Sequence, residues 1–75
     1  MTLKEFKQNL LGFTGVFTLI DFNNNTLREF EYFRNKLINE DVDDTIYDRW
    51  TVIGWSIGFY EGNLYLTVKI DKEEE

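Results

Sequence analysis

The chain is 75 residues long, 43% hydrophobic and 17% aromatic, and carries a net charge of −6 from 14 acidic and 8 basic residues. It has no Cys and no His, which excludes disulfide staples, the usual structural zinc sites and every catalytic arrangement built on a thiol or an imidazole. The acidic balance disfavours direct contact with nucleic acid or with an anionic membrane surface, because both ask for Lys and Arg.

The first element reads as a helix. Thr2 and Glu5 form a Thr-x-x-Glu capping box. Leu3, Phe6, Leu10 and Leu11 recur at helical spacing on one face, with Lys4, Lys7 and Gln8 on the other. Gly12 stands where a C-terminal cap belongs. Phe13 to Phe22 then reads as a strand rich in β-favouring residues. Two adjacent apolar pairs blur its alternation, so part of it is expected to be covered on both faces. Asn23-Asn24-Asn25 is a turn, since Asn tolerates positive φ and bonds its own backbone.

Residues 26–40 support two readings. Arg28, Phe30 and Tyr32 alternate as the return arm of a hairpin, which predicts a strand over 26–32 and a short helix over 33–40. Thr26-x-x-Glu29 is also a capping box, and Leu27, Phe30, Phe33, Leu37 and Ile38 make a helical stripe, which predicts one helix over 26–40.

Residues 40–48 are polar, strongly acidic and read as a loop. Trp50 to Phe59 reads as a strand, with Ile53, Trp55, Ile57 and Phe59 on the face expected to be buried and Gly54, Ser56 and Gly58 on the other. Tyr60-Glu61-Gly62-Asn63 is a turn with Gly at a position suited to positive φ. The final strand alternates Leu64, Leu66, Val68 and Ile70 inward with Tyr65, Thr67 and Lys69 outward, and 71–75 is expected to fray as an acidic tail. The expected fold is a single α+β domain, 1–75. Its N-terminal helix packs on a small, mostly antiparallel sheet of about four strands, with a short second helix between the two hairpins.

A domain this small buries only about 60% of the surface its unfolded chain exposes. Seven Phe, four Tyr and two Trp supply the apolar area that compensates, and they argue against disorder. Met1 to Glu5 lacks the basic start and apolar run of a secretory signal. No stretch approaches the roughly 18 apolar residues of a membrane span. With Cys absent as well, the expected location is cytoplasmic.

Chemistry has little to build on. Ser56 is the only Ser and has no base near it in sequence, so no triad is indicated. Asp21-x-Asn23-x-Asn25 matches the first three ligand positions of a calcium loop, but the sixth position is Thr26 where Gly is needed and the twelfth is Tyr32 where Glu is needed. The expectation is a protein that is not an enzyme and takes no cofactor or metal.

Charge points instead to a partner. Residues 21–49 hold eight acids and four bases, for −4. Five of the acids, Glu40, Asp41, Asp43, Asp44 and Asp48, stand within nine residues with no base among them. Tyr47 and Trp50 adjoin them, and both residue types are enriched at binding hot spots. These seven residues are the candidate partner-binding set, and the expected partner is a basic protein surface, nucleic-acid-binding proteins among them. On this first reading the chain inhibits or modulates such a protein by occupying its groove. On a second it is an assembly module, monomer or homodimer, that pairs through a sheet face or edge beside the small residues Gly54, Ser56 and Gly58.

The opening Thr2-Leu3-Lys4-Glu5-Phe6 helix, the Val16-to-Phe22 strand with Asp21 near its end and the Asn-rich turn resemble the short acidic accessory proteins of Gram-positive phages, plasmids and integrative elements. Trp55-Ser56-Ile57 and Gly62-Asn63-Leu64-Tyr65-Leu66-Thr67-Val68 continue the resemblance. Some proteins of that kind are anti-CRISPR or anti-restriction inhibitors. The resemblance implies that class of function and assigns no individual residue a role.

Overall fold

A computed structural model describes residues 1–38 and 43–72. The capping box forms as the sequence predicts. Thr2 Oγ1 accepts from the Glu5 N–H at 3.2 Å, and Glu5 Oε1 accepts from the Thr2 N–H at 3.0 Å. They open α1, Leu3–Gln8, which closes at Asn9, short of the predicted Gly12. Leu11 lies beyond the helix and is almost wholly exposed, contrary to its predicted place on the apolar face.

Five strands follow: β1 Gly15–Ile20, β2 Thr26–Phe33, β3 Lys36–Leu37, β4 Thr51–Tyr60 and β5 Asn63–Asp71. They form one sheet in the order β3-β2-β1-β5-β4. Three pairings are antiparallel, but β1 and β5, at the centre, run parallel from Val16↔Tyr65 to Ile20↔Lys69. The expected mostly antiparallel sheet of about four strands with two helices is therefore corrected to a five-strand mixed sheet with one short helix among the described residues.

The second helix fails for a tertiary reason. β2 continues through Phe33, and Arg34 and Asn35 turn the chain with φ of 51° and 67° into β3. Asn35 is pinned from across the fold. Its N–H donates to the Phe13 carbonyl at 2.8 Å, its Oδ1 accepts from the Phe13 N–H at 2.6 Å, and its Nδ2 donates to the Leu10 carbonyl. These bonds outweigh the weak local preference of the Phe33–Leu37–Ile38 stripe for helix. The single helix over 26–40 is overturned by the same strands across 26–38, with 39 and 40 lying outside the described residues.

One face of the sheet carries the core. Phe17 and Leu19 of β1 lie between Phe30 and Tyr32 of β2 and Leu66, Val68 and Ile70 of β5, all buried. Leu3 from α1 and Phe13 complete it. Tyr32 is the aromatic hub, with the rings of Phe13, Phe17 and Phe30 between 5.9 and 6.3 Å from it in edge-on geometry. The last strand buries Leu66, Val68 and Ile70 as predicted, leaves Leu64 half-buried, and keeps pairing through Asp71, further than predicted; 73–75 lie outside the described residues.

α1 is stitched to the start of β4. Leu3 N–H donates to the Trp50 carbonyl at 2.8 Å, Lys4 N–H to the Asp48 carbonyl at 3.0 Å, and Val52 N–H to the Met1 carbonyl at 2.8 Å. A six-residue helix is about 9 Å long, whereas ten residues of strand extend about 34 Å. Fixed at one end of β4, the helix leaves the rest of that strand bare.

Candidate protein-binding site

Two surfaces offer a partner a foothold: the acidic loop and the free edge at β4. Of the loop's seven candidates, Glu40 and Asp41 lie outside the described residues. Four others are half-buried and turned inward. Asp44 Oδ2 accepts from the Tyr32 hydroxyl at 2.8 Å, and its carbonyl accepts from Lys7 Nζ at 2.7 Å. Asp48 Oδ1, a buried atom with no other polar partner, is neutralised by Lys7 Nζ at 2.6 Å. Tyr47 and Trp50 meet edge to face with centroids 4.7 Å apart and pack against the core. The structure thus brings Asp44 and Asp48 together around Lys7, a cation supplied by α1.

Asp43 is the exposed member. Its Oδ1 accepts from Thr45 Oγ1 at 2.6 Å and from the Thr45 N–H at 2.9 Å, and these bonds hold its carboxyl below the usual range. Burial, with the Asp44 carboxylate as hydrogen-bond acceptor, pushes the Tyr32 phenol above its usual range. Asp21 serves its own turn, accepting from the N–H groups of Asn23 and Asn25, each at 2.9 Å. Among the described residues no three metal-ligating side chains converge, and no helix is long and apolar enough to cross a membrane.

The edge at β4 is different. The sheet's other edge is the two-residue β3, carrying Lys36, together with the length of β2 that β3 leaves unpaired, which carries Arg28, Glu29 and Glu31. β4 has ten residues and no charged side chain. Trp55, Ile57 and Phe59, predicted to be buried, are 61%, 56% and 78% exposed. They lie on the helix-bearing face, opposite Val68, Leu66 and Leu64 of β5, but α1 does not reach over them. Its one aromatic contact with them is Phe6 against Trp55, centroids 6.3 Å apart. Between helix and strand runs an apolar groove of about 660 Å³ lined by Phe6, Leu10, Val52, Trp55, Ile57 and Leu66.

Natural proteins blunt sheet edges with charge, Pro or short strands. Only a bulge between Val52 and Gly54 interrupts this one, at its helix-proximal end. Sequence reasoning missed the surface because alternation shows which residues share a face and not whether anything covers it. The legible signal was the uncharged run from Trp50 to Tyr60 beside a helix too short to span it. Comparison with protein-family models, with curated proteins and with solved structures finds no match to this chain.

Proposed function

We propose that this protein is a non-enzymatic binding module that engages another protein chain by strand addition along β4. The observation that carries the reading is a ten-residue uncharged edge strand whose large side chains, Trp55, Ile57 and Phe59, stand exposed beside an apolar groove. Strand addition draws affinity from main-chain hydrogen bonds and specificity from alternate side chains, and an exposed apolar patch rimmed by polar surface marks an interaction site. The test is capture by the tagged chain with and without Ile57→Lys. Loss of a bound protein from the folded variant supports the reading, and retention at full strength overturns it.

A second reading keeps the support of charge: an inhibitor of phage or mobile-element type that occupies a basic nucleic-acid-binding surface of a defence protein. The −4 balance over residues 21–49 and the exposed Asp43 favour it. Here neutralising Glu40, Asp41 and Asp43 weakens capture and flattens its salt dependence, because screening acts on exposed charge. Capture indifferent to both salt and these substitutions counts against it.

A further inference from the structure

We infer that the chain added at β4 is a second copy of this protein, related by a twofold axis through Ile57; the inference rests on β4 being the docking edge.

The turn between β4 and β5 fixes which backbone groups are free. Tyr60 pairs with Asn63 across Glu61 and Gly62, whose φ values are 51° and 81°. A two-residue turn of this kind makes its flanking residues a hydrogen-bonded pair, and such pairs alternate along an antiparallel ladder. Tyr60, Gly58, Ser56 and Gly54 therefore exchange bonds with β5, while Trp55, Ile57 and Phe59 direct their N–H and C=O groups to the open edge. The three residues with unsatisfied backbone also have bare side chains.

An antiparallel copy centred on Ile57 uses all of them. Ile57 meets Ile57 of the second copy, and Trp55 meets Phe59 of the second copy twice, once on each side of the axis. Aromatic cross-strand pairs are among the favourable ones. On the opposite face the register sets Gly54 against Tyr60 and Ser56 against Gly58, small residues against large or small ones, with no bulky pair in collision. The twofold axis is perpendicular to the sheet, so both helices sit on one side and the two grooves join. Phe59 of the second copy then lies beside Trp55 and its neighbour Phe6.

Net charge opposes this pairing, and the edge that makes it is the one free of charge. Two copies at −6 repel, and β4 is a long uncharged strand along which they can meet. The three side chains, the backbone edge and Tyr60 can bury at most about 500 Å² per copy, about 1,000 Å² in all, the size of a weak, reversible interface. Because the copies repel, added salt strengthens association, opposite to its effect on a basic partner.

The chain has no Cys, so single-cysteine variants test the register. Residues facing one another in a hydrogen-bonded antiparallel pair have Cα atoms about 5.5 Å apart, within disulfide range. Ile57→Cys is expected to cross-link to dimer under mild oxidation, and Gly54→Cys, far from the axis, to remain uncrossed. Sedimentation of the unmodified chain should show a dimer that gains population as salt rises from 20 to 300 mM, and Ile57→Lys should run as a folded monomer. A monomer at millimolar concentration with no cross-link overturns the second copy and leaves the capture assay to decide strand addition. A dimer unaffected by Ile57→Lys overturns both readings.

Discussion

Gly15 opens β1 with φ of +148°, paired to Tyr32 on one side and pressed against β5 on the other. A Cβ placed there would lie 2.3 Å from the Leu64 carbonyl oxygen and 3.1 Å from the Leu64 carbonyl carbon and Cβ, where ordinary contact begins at 3.4 Å. In Gly15→Ala the parallel strands must part by about 1 Å at their first pair, and the obstacle is backbone that cannot rotate away. Backbone strain adds about 1–3 kcal/mol and each weakened ladder bond about 1 kcal/mol, against a gain of about 0.4–1 kcal/mol from the stiffer unfolded chain. The expected loss is about 2–4 kcal/mol, a fall in Tm on the order of 10–25 °C for a domain of this size. Urea titration should show a lower midpoint at an unchanged slope. Gly58→Ala is the control, because its Cβ meets no atom within 4 Å, and a change within about 0.5 kcal/mol is expected. If Gly15→Ala is no more costly than Gly58→Ala, the close approach of β1 and β5 is refuted.

Phe17 is 1% exposed and Trp55 61%, so under monomeric conditions Phe17→Ala should cost about 4 kcal/mol and Trp55→Ala about 2 kcal/mol by chemical denaturation; equal costs would contradict the bare edge. Tyr32 binds its proton more tightly when folded than the ordinary 10.0 of the unfolded chain. The folded state then holds the extra proton, so stability is full below pH 10 and falls above it, by up to about 1.4 kcal/mol per pH unit. Tyr32→Phe should remove that part of the alkaline slope, at a cost of about 1 kcal/mol near neutrality for the lost bond to Asp44, both read from urea titrations across pH. The Asp21 carboxyl is held below its usual range, first by the Asn25 N–H, so its contribution is present above the carboxylate range and lost as pH falls through it. Asp21→Asn should flatten the acid limb of the stability profile, and an unchanged limb would show that the turn does not depend on the charge.

Much of the architecture was legible because the residues that specify it act locally. The Thr2–Glu5 box, the Asn turn and the alternation of β5 each depend on neighbours within a few positions. The parallel β1–β5 pair was not legible, because two β-rich runs read alike whichever way they are joined. The helix predicted over 33–40 failed for a related reason: Asn35 takes its conformation from Phe13 and Leu10, more than twenty positions away. The acidic set was visible as composition, but the partners of Asp44 and Asp48 are Tyr32 and Lys7, which only the fold brings near. Trp55, Ile57 and Phe59 were correctly placed on one face and wrongly placed in the core, because burial depends on the reach of α1.

The parallel pairing also sets an order of events during folding. Each hairpin, β1–β2 and β4–β5, closes across a turn of a few residues, which takes microseconds. β1 and β5 join residues 49 positions apart, as in Val16 with Tyr65, and that closure yields no reward until both hairpins exist. This order predicts that the meeting of the two hairpins is the slow step, with truncations at Leu19 and Val68, which face each other across that seam, slowing folding more than they speed unfolding. α1 is received by the Asp48–Val52 backbone, so substitutions in the first residues of the chain are expected to act mainly on the unfolding rate.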